Sequence, residues 1–119
     1  MITGAHAIIY CEDPEAARKF FRDVLGFPSV DAGEGWLIFR LPPSEIAMHP
    51  DPAIKRGESR HELFLTCGDL EATMGELRAK GAELVLPVRA AAWGSIVRIR
   101  VPGAGEVSLY QPKHPTAAG

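Results

Sequence analysis

His6-Ala7-Ile8-Ile9-Tyr10-Cys11-Glu12-Asp13-Pro14-Glu15-Ala16 returns 56 positions later as Glu62-Leu63-Phe64-Leu65-Thr66-Cys67-Gly68-Asp69-Leu70-Glu71-Ala72. Near the ends of the two copies, Ser44-Glu45-Ile46-Ala47-Met48 is answered by Gly105-Glu106-Val107-Ser108-Leu109. A tandem repeat of a supersecondary unit implies that neither unit buries its apolar face alone. It also lets equivalent positions be compared within one chain.

Each copy opens on a run of apolar and β-branched residues, Ala5 to Cys11 and Glu62 to Cys67, which predicts a strand. Asp13 and Asp69 then suit helix N-caps, Pro14 the first helical position, and Glu15 and Glu71 the positive end of the helix dipole. Helical spacing puts Ala17, Phe21 and Leu25 on one stripe with Phe20 and Val24 beside it; Leu70, Met74 and Leu77 form the matching stripe. Gly26 and Gly81 end the helices. Three further strands are expected in each copy, near Pro28–Asp31, Trp36–Leu41 and Glu45–His49, then Glu83–Pro87, Ser95–Val101 and Glu106–Gln111. The reading is α+β: two tandem βαβββ modules, about 4–50 and 61–112, with a linker at 51–60 and a frayed tail at 113–119.

A chain of 119 residues, 46% hydrophobic and 24% charged, is sized for one domain. A net charge of −2 gives no basis for nucleic acid or an anionic membrane as partner. No apolar run has the length of a membrane span, and the first residues lack the basic and apolar regions of a signal peptide, so a cytoplasmic location is expected. Cys11 and Cys67 fall at equivalent strand ends and read as buried reduced thiols.

The run Phe20-Phe21-Arg22-Asp23-Val24-Leu25-Gly26-Phe27, His6 with Asp13, Trp93-Gly94, and the ending Glu106-Val107-Ser108-Leu109-Tyr110-Gln111-Pro112 together resemble the vicinal oxygen chelate superfamily. Glyoxalases, extradiol dioxygenases, and fosfomycin and bleomycin resistance proteins belong to it. The resemblance implies an incomplete eight-stranded barrel, a homodimer, and, in the enzymes, a divalent iron, manganese, zinc or nickel ion in the cleft. Its ligands would come from the opening and closing strands of each module. Such a metal keeps open positions for substrate oxygens, where it acts as a Lewis acid.

Carried over by position, the metal set is incomplete. His6 matches the first ligand. The third, seven residues before the helix-opening Asp69, is Glu62, although a small bulge would restore His61. The closing-strand positions hold Ala47, which has no donor, and Ser108. Alternation puts Tyr10 and Phe64 on the cleft face, with His49 and Tyr110 at its mouth. Trp36, Phe39, Met48 and Trp93 add apolar area, and Arg98 or Arg100 turned inward would hold a carboxylate or phosphonate, although a solvated face is the commoner arrangement.

Three functional readings follow. The first is a protein that binds a small hydrophobic or aromatic metabolite or antibiotic through Tyr10, His49, Phe64, Ser108 and Tyr110, with no cofactor. The second is a metal-dependent lyase, isomerase or dioxygenase using His6, Glu62 and an unusual third ligand such as His49. The third is a metal-free enzyme in which His6 and Glu62 move a proton.

Overall fold

The computed structural model describes residues 6–117. Its elements, in chain order, are α1 (Pro14–Asp23), β1 (Ser29–Asp31), β2 (Leu37–Phe39), β3 (Phe64–Thr66), α2 (Leu70–Ala79), β4 (Leu84–Ala91), β5 (Gly94–Arg100) and β6 (Glu106–Pro112). The strands form a β1–β2 hairpin and a four-stranded mixed sheet in the order β3-β6-β5-β4, with β3 parallel to β6 and the other pairs antiparallel. The expected α+β class stands, and the open sheet is compatible with an incomplete barrel.

Both helices start as their sequences dictate. The Asp13 carboxylate accepts from the Ala16 N–H and the Asp69 carboxylate from the Ala72 N–H, each at 3.1 Å. Of the expected stripes, Ala17, Phe20 and Phe21 on α1 and Leu70, Met74 and Leu77 on α2 are buried, while Val24 and Leu25 fall beyond the end of α1 and are only partly covered. They join Val97, Ile99, Val101, Val107 and Leu109 in one continuous core on the helix side of the sheet. Phe21 also reaches Phe39, with ring centres 5.7 Å apart, and so ties the hairpin to α1.

The two copies dock through a short backbone contact. The Asp13 N–H donates to the Gly103 carbonyl at 2.9 Å, at the point where α1 begins. Gly103 has φ +76°, and a Cβ there would lie 2.6 Å from both the Cβ and the carbonyl oxygen of Asp13. Only glycine meets both demands.

Two expected strands are not formed. Residues 6–11 and 45–49 have strand-like composition but pair with no neighbour, and they leave Ile8, Tyr10, Ile46 and Met48 well exposed. Ala5 lies outside the described residues. A strand is a pairing rather than a propensity, and these segments pair with none of the edges that β1, β2, β3 and β4 leave open. The Cα radius of gyration, 15.4 Å, reflects that openness; a compact chain of this length has about 13.5 Å.

Two other expectations need correcting. The fourth strand continues through Pro87 to Ala91, with an irregularity between Val85 and Arg89 that absorbs the proline. Residues 113–117 are not a frayed tail: the Lys113 N–H donates to the Trp93 carbonyl, the His114 ring meets the Tyr110 hydroxyl, and the Ala117 N–H donates to Glu45.

Candidate functional site

Strand register arranges the open face of the sheet as rows of side chains. Pairing aligns Phe64 with Ser108, Ser108 with Arg98, and Arg98 with Val85. The next row holds Thr66, Tyr110, Ile96 and Arg89. Alternate residues Leu65, Val97, Ile99, Val107 and Leu109 turn to the helices, so the rows face away from the core. Over them lies a cleft of about 500 Å³ whose walls include Glu62, Phe64, Val85, Ile96, Arg98 and Ser108. That volume is in the range of ligand pockets.

Charge in the cleft is largely paired. Glu62 meets Arg60, which also bonds Asp51 at 3.0 Å. Arg98 stands 3.5 Å from Glu106. Leu86, Pro87 and Arg89 form the wall on the β4 side. Near the end of β6, Tyr110 is wrapped by aromatic rings, with centres 6.1 Å from Phe64, 5.5 Å from Trp93 and 5.7 Å from His114. His114 Nδ1 lies 2.7 Å from the Pro115 carbonyl, which can only accept. The Tyr110 hydroxyl donates to the Trp93 carbonyl at 3.3 Å and also meets His114 Nε2. Burial, with Glu45 nearby, pushes the Tyr110 phenol above its ordinary range.

The residues anticipated from sequence divide into two groups. Glu62, Phe64 and Ser108 come together on the cleft wall, and Tyr110 stands in the adjoining row. His6, Tyr10 and His49 lie on the two unpaired segments and are exposed. Leu63 and Leu65 pack partly against the helix-side core, and Leu63 also reaches the cleft wall. Arg89 went unnoticed in the sequence because Pro87 argued that the strand had ended. The Val88-Arg89 alternation was the available signal: Val88 is packed against the core and Arg89 is exposed.

Among the described residues, no three His, Cys, Asp or Glu side chains gather closely enough to hold an ion. The Glu62 carboxylate is engaged by Arg60, and Ser108 presents a neutral hydroxyl. Cys11 and Cys67 are free and half-buried. No helix among the described residues is long and apolar enough to cross a membrane.

Comparisons with known proteins fit this architecture. Residues 4–105 match the family model of the Glyoxalase/Bleomycin resistance protein/Dioxygenase superfamily. No curated protein matches the chain. Among solved structures, TnmS3, an antibiotic binding protein from Streptomyces, is 22% identical with a TM-score of 0.59, covering 92% of this chain and 100% of its own. A glyoxalase/bleomycin resistance protein/dioxygenase from Nocardioides is 15% identical with a TM-score of 0.60, covering 99% and 91%. A lactoylglutathione lyase from Agrobacterium tumefaciens is 20% identical with a TM-score of 0.58, covering 92% and 96%. At such identities the likeness is one of fold, while the family match spans most of the chain. The chain belongs to the glyoxalase/bleomycin resistance protein/dioxygenase superfamily.

Proposed function

We propose that the protein binds a small, largely apolar or aromatic molecule, a metabolite or an antibiotic, in the cleft on the open face of its sheet, without a catalytic metal. The observation that carries this reading is the row Phe64, Ser108, Arg98, Val85 on the cleft floor. It offers an aromatic face and a few polar anchors at a place where a metal enzyme of this superfamily would put a carboxylate. The fold it shares with the antibiotic binding protein TnmS3 is in keeping with it. The proton-transfer alternative is disfavoured by the Arg60 contact, which occupies the Glu62 carboxylate.

A homodimer belongs to the same proposal. Segments 6–11 and 45–49 hold exposed apolar side chains and unpaired backbone, which a second copy would cover. Light scattering on the purified protein checks the mass.

The binding reading is tested by thermal denaturation against a panel of aromatic compounds and antibiotics, alongside metal analysis of protein purified without chelator. A ligand present at 100 times its Kd adds about 2.7 kcal/mol of stability, which a melting scan detects readily. Stabilisation by a panel member, lost in Phe64→Ala, supports the proposal. Stoichiometric iron, manganese, nickel or zinc that vanishes in His6→Ala refutes it in favour of the metal enzyme.

A further inference from the structure

We infer that the cleft selects ligands bearing an oxyanion, a carboxylate or phosphonate on an apolar body, and that Arg89 is the residue that holds it. The inference rests on the reading of the cleft as a small-molecule site and names the chemical class of its ligand.

The argument begins with the ionisable groups on the walls: Glu62, Glu106, Arg89 and Arg98. Both acids have a basic partner, Glu62 in Arg60 and Glu106 in Arg98. Among the described residues Arg89 makes no ion pair or side-chain hydrogen bond, so its guanidinium is the uncompensated charge of the cleft. Its five donors point into no protein acceptor, and a planar oxyanion matches their fork geometry.

The surroundings complete the site. Arg89 pairs with Ile96 in register, and Arg98 is two residues further along the same strand. The two arginines are therefore diagonal neighbours on one face, about 7–8 Å apart at Cα and within joint reach of one anion. Ser108, level with Arg98, adds a hydroxyl donor. The Arg98–Glu106 contact, at 3.5 Å and open to solvent, is loose enough for a ligand anion to compete with Glu106. Phe64, Val85 and Ile96 supply the apolar floor on which a flat body rests.

The experiment is isothermal titration of the full chain with a matched pair of probes, 2-naphthoate and neutral 2-naphthamide. The expected result is that naphthoate binds ~10-fold more tightly, as a charge-assisted bidentate contact requires, and that added salt erodes the preference. In Arg89→Gln the two probes should become equal within ~2-fold, with naphthamide unchanged; Arg89→Lys should keep part of the preference. Because Arg89 has no protein partner, both variants should melt where the parent does. Equal binding of the probes to the parent, or a preference that survives Arg89→Gln, overturns the inference and leaves the binding reading standing. A preference lost in Arg98→Gln but kept in Arg89→Gln overturns the assignment to Arg89. Failure of both probes to bind overturns the binding reading and this inference with it.

Discussion

Replacing Gly103 by alanine measures how strongly the first helix is docked to the second copy's sheet. Its φ of +76° carries a penalty of its own for any residue with a Cβ, about 1–2 kcal/mol. The added methyl would also stand 2.6 Å from the Asp13 Cβ and carbonyl oxygen, well inside the 3.4 Å at which ordinary contact begins. Those atoms belong to the N-cap of α1, so relief requires the helix start to retreat. That loosens the Asp13 to Gly103 hydrogen bond, worth about 1 kcal/mol, and adds packing strain. The expected loss is about 2–4 kcal/mol in all. Gly105→Ala is the internal control: φ is +68°, but nothing lies within 4 Å of the new Cβ, so only the conformational penalty applies. Urea denaturation followed by circular dichroism at 25 °C compares the two. Gly103→Ala should fall below Gly105→Ala by about 1–3 kcal/mol, or roughly 4–12 °C in Tm. Equal losses in the two variants would show that the contact does not hold α1 in place.

Two further outcomes are expected. The Gln111 side chain accepts from the Leu70 N–H at 2.8 Å and so satisfies a donor at the start of α2; Gln111→Leu should cost about 1 kcal/mol in urea denaturation, and Gln111→Glu, which keeps an acceptor, much less. Burial raises the pKa of the Cys67 thiol, and burial with Glu45 nearby raises that of the Tyr110 phenol. Both groups therefore favour folding while protonated, and their contribution is fully present below their ordinary values and lost as pH rises through the raised ones. The urea midpoint should hold steady near neutrality and decline above about pH 8.5, where an ordinary thiol ionises, with Cys67→Ser removing the earlier part of the decline. An alkaline midpoint equal to the neutral one would contradict that linkage.

How far the sequence could be read depended on whether a feature was local. The helix starts were legible to the residue because caps and apolar stripes act within a few turns: Asp13, Asp69 and the stripe Leu70, Met74, Leu77 are where the chain put them, whereas α1 stops at Asp23, short of Leu25 and Gly26. The strand faces were legible too, since alternation alone set Phe64 and Ser108 against Leu65 and Leu109. What could not be read was pairing between distant segments. Nothing in Ile8-Ile9-Tyr10 says whether a partner strand is available, and nothing in His114 says that it will meet Tyr110. Arg89 was obscured for a related reason: a local rule about proline gave way to a register irregularity that only the partner strand defines.

The difference between the two copies bears on chemistry as well as on architecture. A chelating metal site in this superfamily draws donors from both modules, so it exists only when both opening strands and both closing strands are in place. In this chain the positions that would supply the first half, His6 and Ala47, lie on unpaired segments, and one of them has no donor at all. The cleft needs none of them. Its floor and walls come from β3, β4, β5 and β6, a sheet held by backbone pairing, with one irregularity in β4 between Val85 and Arg89, and by a core in which Ile99 and Val97 are 0% and 2% exposed. A recognition surface on such a sheet keeps its geometry when the other module rearranges, whereas coordination geometry does not. The ligand contacts proposed above, Phe64, Arg98 and Arg89, all lie on this sheet. Closing residues 6–11 and 45–49 over it would deepen the site without being needed to create it.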